Sequence, residues 1–371
     1  MDFSSFEENI RKTGFPLEFR IAEILRKAGW SVINNRYYAD DLTGTVREVD
    51  LIAYKVRKVR DFQLFTSIVI SCKKSEDCLW ALLSKDININ DVNTDWKPIH
   101  AWTNLKALEF VMSQEGWKDE YYSYVAEKGV TQSIRIPEVD IFAFQTMLKI
   151  DKDKNNEKGK AKNDTPIYDS IVGLMKAQAY EMSSLPKNDR PNRIYQFNLV
   201  SIIDSDLIRL HFEEDEIKGS AVEQDHHVGR YILNGEATFA HVHFIKADAF
   251  EGILNDYDSL HEANASFFQN AYDDFYKNVL DDYKRRKIFH KEFSEAIKPI
   301  INYRVKVEDG EELFIYLNKP DESGCLKIEL DLNETQVQEL NEFPFLISTT
   351  EELLKSLYHY EGKFKFVTLS F

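Results

Sequence analysis

Three stretches near the start of the chain carry side chains that together suit phosphoester chemistry. Glu18 falls in the opening turn of a helix. Arg47-Glu48-Val49-Asp50-Leu51-Ile52-Ala53 sets an acid inside an apolar strand, and Ile68-Val69-Ile70-Ser71-Cys72-Lys73-Lys74 ends a β-branched strand in a lysine pair. Strand side chains alternate faces, so Glu48 and Asp50 share one face, as do Ser71 and Lys73. If the two strands pair, a carboxylate and an ammonium meet at one edge of the sheet. Cleaving a phosphodiester asks for that combination. Hard oxygen ligands hold Mg²⁺ or Mn²⁺ against the phosphate and activate water, and a nearby lysine neutralises developing charge. Each residue also has a plain structural reading. A first-turn Glu18 suits the helix dipole. Asp50 can pair with Arg47 or a lysine, since a buried carboxylate left unpaired is costly. Lys73 and Lys74 can simply blunt a strand end.

The elements that would position these groups follow from periodicity. Leu17, Ile21, Ile24, Leu25 and Ala28 form one apolar face and predict a helix over Pro16–Ala28, with Pro16 in its first turn and Gly29 at its stop. Strands are expected over Trp30–Tyr38, Val46–Val56 and Phe65–Lys73, then a helix over Asn104–Met112 and a fourth strand over Val139–Thr146. The highly charged stretch Asp151–Asp164 has one Ala and no larger apolar residue, and reads as a flexible linker or loop. Beyond it the pattern predicts a helix from Asp164-Thr165-Pro166, strands over Ile194–Ile203, Leu207–Phe212 and Thr238–Ile245, and a helical stretch over His261–Ile297 that stops before Pro299. A hairpin, a helix over Thr350–Tyr358 and a last strand end the chain. The expected division is a domain over residues 1–150, a linker over 151–164 and an acidic α+β region over 165–371 that selects substrate or oligomerises.

Gly14-Phe15-Pro16-Leu17-Glu18, Ala28-Gly29-Trp30-Ser31-Val32, Arg47-Glu48-Val49-Asp50 and Ser71-Cys72-Lys73 together resemble the PD-(D/E)xK superfamily of restriction-endonuclease-like nucleases. The resemblance covers roughly the first 150 residues. It implies an α/β fold with an αβββαβ core and a metal-dependent nuclease activity on DNA or RNA, with DNA the expected substrate, in bacterial defence or DNA processing. It also implies Asp50 as a metal ligand, Lys73 as the catalytic lysine, Glu18 as the helix acid and the Cys72 carbonyl as a backbone ligand. One position departs: Ser71 stands where the family places an acid, and a hydroxyl is a weaker Mg²⁺ ligand. Either Glu48, Glu76 or Glu18 compensates, or catalysis is lost and a binding module remains.

Composition sets the limits. The 371 residues carry a net charge of −16, which argues against coating nucleic acid by bulk attraction. Met1 to Ser75 nevertheless holds 13 Lys and Arg against 10 Asp and Glu, so the acidic excess lies downstream, where a homodimer contact or protein partner is expected. Met1–Glu7 lacks the basic start and apolar stretch of a signal peptide, no apolar run approaches a bilayer span, and three cysteines fit a reducing compartment, so a cytoplasmic protein is expected. No P-loop and no GxSxG elbow is present. Weaker candidates are a histidine metal site at His226-His227 and His241-Val242-His243, base stacking by Tyr37, Tyr38, Trp80 and Trp102, and phosphate contacts from Lys55, Arg57, Lys58 and Arg60.

Overall fold

The computed structural model describes residues 3–40, 43–149, 159–185, 191–233, 235–305 and 313–369. Along the chain run α1 (Ser4–Arg11), α2 (Phe15–Lys27), β1 (Ser31–Ala39), β2 (Val46–Val59), β3 (Phe62–Lys74), β4 (Cys78–Asp86) and β5 (His100–Thr103). Next come α3 (Lys106–Met112), α4 (Trp117–Glu127), β6 (Val139–Leu148), α5 (Thr165–Ser183), β7 (Asn192–Asp204), β8 (Leu207–Glu213), β9 (Glu216–Ala221), β10 (Gln224–Leu233) and β11 (Glu236–Lys246). The remainder is α6 (Phe250–Lys277), α7 (Tyr283–Arg304), β12 (Ile315–Leu317), β13 (Leu326–Leu330), α8 (Glu334–Asn341), α9 (Pro344–Tyr358) and β14 (Phe364–Thr368). The chain is a mixed α/β protein that divides into two compact units. One comprises Met1–Leu105 and Glu115–Phe267, the other Lys106–Gln114 and Phe268–Phe371.

The first unit is built on a seven-stranded sheet in the order β1-β2-β3-β7-β11-β10, with β5 also paired to β7. β1, β2 and β3 form an antiparallel meander. β3 then pairs in parallel with β7 along thirteen residues, from Phe62↔Asn192 to Lys74↔Asp204. Both strands are buried along most of their length, as expected of strands covered on both faces. The α2 helix buries Leu17, Ile21, Ala22 and Leu25, and Gly29 ends it at φ +80°, a left-handed position that costs a glycine little. A smaller sheet, β6-β4-β8-β9, lies in the same unit. Trp80, Ile171, Leu174, Leu199 and Phe244 share a core drawn from both sheets and α5. The second unit packs α7, α8 and α9 with the three-stranded sheet β12-β13-β14 around Phe293, Ile297, Ile328, Leu354 and Phe366.

Several expectations are corrected. The strand over Val139–Thr146 forms as β6, but it pairs with β4 in the smaller sheet and not beside Asp50. The helix over Asn104–Met112 forms as α3 in the other unit. The helix and strand that follow β3 in its own sheet are α5 and β7. The division at 150/165 therefore falls inside the first unit, because the edge of β3 not taken by β2 is filled by β7. Of the expected linker, residues 151–158 lie outside the described residues. The rest is tied to β6: Leu148 N–H donates to the Lys160 carbonyl at 3.0 Å and Lys162 N–H to the Thr146 carbonyl at 2.8 Å. The helical stretch expected over His261–Ile297 forms as α6 and α7, and its expected stop before Pro299 is what fails. Asp282 caps the second by accepting from the Lys284 and Arg285 amides, and α7 then runs through Pro299 to Arg304.

Candidate active site

The β2–β3 ladder ends at Leu51↔Ile70, yet β3 continues beside β7 to Lys74 while β2 turns back along β1. The two strands therefore part at Asp50 and Ser71. Asp50 fills the fork: its Oδ2 accepts the Cys72 N–H at 2.6 Å, standing in for a ladder carbonyl. Burial pushes the Asp50 carboxyl above the usual carboxylate range. The Lys73 ammonium, the Cys72 amide and the Ser71 hydroxyl oppose the shift, and Glu48 adds to it. Glu18, half-buried in the first turn of α2, is also raised, by burial first and then by the charges of Asp50 and Glu48, with Lys73 opposing. Helix acid, strand acid and lysine thus sense one another.

A cavity of about 410 Å³ opens at this fork. Asp50, Ser71 and Lys73 line it together with Glu48, Asp40, Arg47 and, from α5, Asp169 and Lys176. Glu18 does not line it. Ser71 is buried, and α5 is seated over its face of the sheet by a 2.8 Å bond between Ser170 Oγ and Ser201 Oγ. Lys73 is half-buried and, among the described residues, has no ion-pair or hydrogen-bond partner. Lys74 is tied to the Arg11 carbonyl at 2.7 Å and to Glu76 at 3.1 Å, so the two lysines differ in availability. Arg47 pairs with Asp40 at 3.0 Å rather than with Asp50. Lys176 reaches the same Asp40 oxygen at 2.8 Å.

Of the acids that can replace the missing carboxylate, Glu76 is held by Lys74, while Glu48 lines the cavity and accepts from Asn35 Nδ2. Asn35 sits at φ +55° across from the fork, a conformation that asparagine adopts more readily than most residues. Among the described residues, no three His, Cys, Asp or Glu side chains stand close enough to enclose a metal ion. The donors at the fork still suit Mg²⁺ or Mn²⁺. Asp50 and Glu18 are oxygen donors whose carboxyls are raised chiefly by burial, Glu18 also by the Asp50 and Glu48 charges, and Mg²⁺ commonly binds through one or two carboxylates while keeping its waters. The thiol of Cys72 is pushed well up by burial and by Asp50 and Glu18, which leaves it protonated and unsuited to be a nucleophile.

The weaker candidates resolve differently. His226 Nδ1 lies 2.9 Å from His241 Nε2. His243 reaches Tyr257 Oη at 3.0 Å and Gln224 Oε1 at 2.6 Å, and His227 reaches the Ile141 carbonyl and Tyr231 Oη, each at 3.0 Å. These buried rings are bonded to one another and to their neighbours. Tyr38 and Trp80 belong to the core, Trp102 packs edge-on against Tyr195, and Tyr37 is exposed. Lys55 is held by Asp258 at 2.7 Å and Arg57 by Glu262. Asp40, Asp169 and Lys176 escaped the sequence reading. In sequence Asp40 reads as part of a turn, and α5 lies beyond the expected domain boundary.

No family model, curated protein or solved structure matches this chain. Among the described residues, no helix is long and apolar enough to cross a membrane.

The raised Asp50 pKa has a measurable consequence. A carboxyl that binds its proton more tightly folded than unfolded destabilises the native state above its folded pKa, and that cost vanishes below the ordinary value of 3.8. Asp50→Asn is therefore expected to raise the thermal midpoint at pH 7, with the gain shrinking as pH falls towards 3.8. Paired melts of the two proteins from pH 7 to 4 check this, and a lower midpoint for the variant at pH 7 would count against a carboxylate held at a cost.

Proposed function

We propose that this chain is a metal-dependent nuclease with a restriction-endonuclease-like core, hydrolysing phosphodiester bonds of DNA. The observation that carries the reading is the fork between β2 and β3. There Asp50, Ser71 and Lys73 share a cavity, and the Asp50 charge helps raise the Glu18 carboxyl while burial raises Asp50 itself. The order α2-β1-β2-β3-α5-β7, with β7 parallel to β3, supports an αβββαβ core assembled around an insertion between β3 and α5.

In this reading Asp50, Glu18 and the Cys72 carbonyl would hold Mg²⁺ or Mn²⁺, which would supply charge neutralisation at the phosphate and an acidified water. Lys73, free of other partners, offsets negative charge developing on the phosphate and orients the attacking water. Glu18 accepts a hydrogen bond from that water. Ser71 donates to Asp50 and fixes its orientation. Arg47 and Lys176 on the cavity wall face the polynucleotide. A cytoplasmic setting, and a homodimer or protein partner for the acidic downstream part of the chain, belong to the same proposal.

A second reading, a nuclease-fold binding module without catalysis, is favoured by two observations. Ser71 replaces the usual acid, and among the described residues no three carboxylate, His or Cys side chains cluster at metal spacing. Incubation of supercoiled plasmid and of single-stranded DNA with Mg²⁺ or Mn²⁺ separates the two. Cleavage abolished by EDTA and by Asp50→Ala supports the nuclease. Cleavage absent in wild type but switched on by Ser71→Glu supports the degenerate module.

A further inference from the structure

We infer that the second unit holds a binding site for a small amphipathic anion, a molecule with an apolar body and a carboxylate or phosphate head. A cavity of about 640 Å³ lies between the first turns of α7 and the strand β12. That volume is within the range of pockets that bind small molecules. One wall is apolar: Phe314, Ile315, Tyr316 and Leu317 run along β12, and Leu369 follows β14. β12 is the edge strand of its sheet, and the His290 Nε2–H donates to the Ile315 carbonyl at 2.6 Å, which ties that strand to α7. Phe314 is 64% exposed, a large apolar ring left open to water beside a concave surface.

The facing wall is cationic. Arg286 and Lys287 line the cavity from α7. Arg286 Nη1 donates to the Leu280 carbonyl at 2.8 Å, but its Nε is buried with no hydrogen-bond partner. Lys287 is exposed, and among the described residues neither cation has a carboxylate within ion-pair distance. One acid, Asp331, also lines the cavity; it accepts the Phe314 N–H at 2.9 Å, which does not cancel its charge, so the lining sets two cations against one carboxylate. In a chain of net charge −16, two cations without acid partners beside an apolar wall are a local reversal. They suit a negative head, while the aromatic and aliphatic side suits the body that carries it. The site is independent of the fork at Asp50 and stands or falls apart from it.

The test is isothermal titration of the full chain with decanoate, decyl phosphate and decan-1-ol. Both anions are expected to bind at one site per chain, at least about tenfold more tightly than the alcohol. Lys287→Gln should weaken both anions about tenfold and leave the alcohol unchanged, and Phe314→Ala should weaken all three ligands. Both positions are exposed, so the variants should melt as wild type does. The tighter of the two anions identifies the head group. Failure of both anions to bind, alcohol binding as tight as theirs, or anion affinity unchanged in Lys287→Gln would each overturn the inference.

Discussion

Lys73→Ala and Asp50→Ala are each expected to reduce Mg²⁺-dependent DNA cleavage by about 10³-fold or more, as removal of a group that stabilises transition-state charge commonly does. Lys73 is the cleaner test. Its ammonium makes no ion pair or hydrogen bond among the described residues, so its loss removes no direct contact, although Asp50 and Glu18 lose a favourable charge. Lys74 supplies the control: it is tied to Arg11 and Glu76, and Lys74→Ala should cleave near the wild-type rate. For Asp50→Ala the Cys72 N–H loses its acceptor, so some loss of stability accompanies the loss of activity. Single-turnover cleavage, with thermal melts of each variant, separates the two effects. Wild-type rates in both variants would remove the mechanism.

The second large effect concerns acid. His227 and His100 are pushed down to about 4 and His241 to about 3, in each case chiefly by burial. His226 and His243 are also pushed well below the usual value, again by burial first and then by neighbouring histidines and Arg135. A histidine whose folded pKa lies below its unfolded value of 6.5 is neutral in the native state and charged in the unfolded one at intermediate pH. The unfolded state then binds more protons, so stability falls as pH drops from about 6.5 towards 4. For His227 alone the shift corresponds to about 3 kcal/mol at pH 4, a large part of an ordinary domain's stability. The surroundings offer little relief: backbone hydrogen bonds at Gln132 and Ile141 and the Asp95 charge oppose the shifts at His226, His227 and His100, and burial outweighs each of them. His226, His241 and His243 face one another, Tyr257 and Gln224 are neutral, and Arg135 is a further positive charge. Asp50 and Glu18 act with the opposite sign, since their raised carboxyls gain from acid. Urea denaturation from pH 7 to 4 should show roughly two or more protons taken up on unfolding near pH 5. A midpoint independent of pH over that range would contradict the buried neutral cluster.

The contrast between what local pattern discloses and what it hides runs through the same residues. Strand alternation was enough to put Ser71 and Lys73 on one face and to set Asp50 beside them, because register between successive antiparallel strands is a short-range property. The partner of β3 on its other edge was not legible. β7 is parallel and comes after a long crossover, and nothing near Phe62–Lys74 specifies which distant apolar run will fill that edge. That one unread pairing misplaced the domain boundary, and with it Asp169 and Lys176, which reach the cavity from α5. Asp40 was hidden differently: an acid beside Thr43 and Gly44 reads as a turn until Lys176 arrives from far along the chain. The break between α6 and α7 carried a readable signal in Asp282, a good helix N-cap. Pro299 misled because Ile297 and Ile301 continue one buried face across it, and that packing outweighs the lost backbone hydrogen bond.

The proposed nuclease activity depends on Asp50 and Glu18 forming a seat for one divalent cation with Lys73 beside it. A crystal soaked in Mn²⁺, with its anomalous scattering recorded, tests this directly. One manganese peak within coordination distance of the Asp50 carboxylate is expected, with Glu18 reaching it directly or through water and Lys73 Nζ close to a manganese-bound water. Manganese bound elsewhere on the chain, with the fork between β2 and β3 holding none, would contradict it.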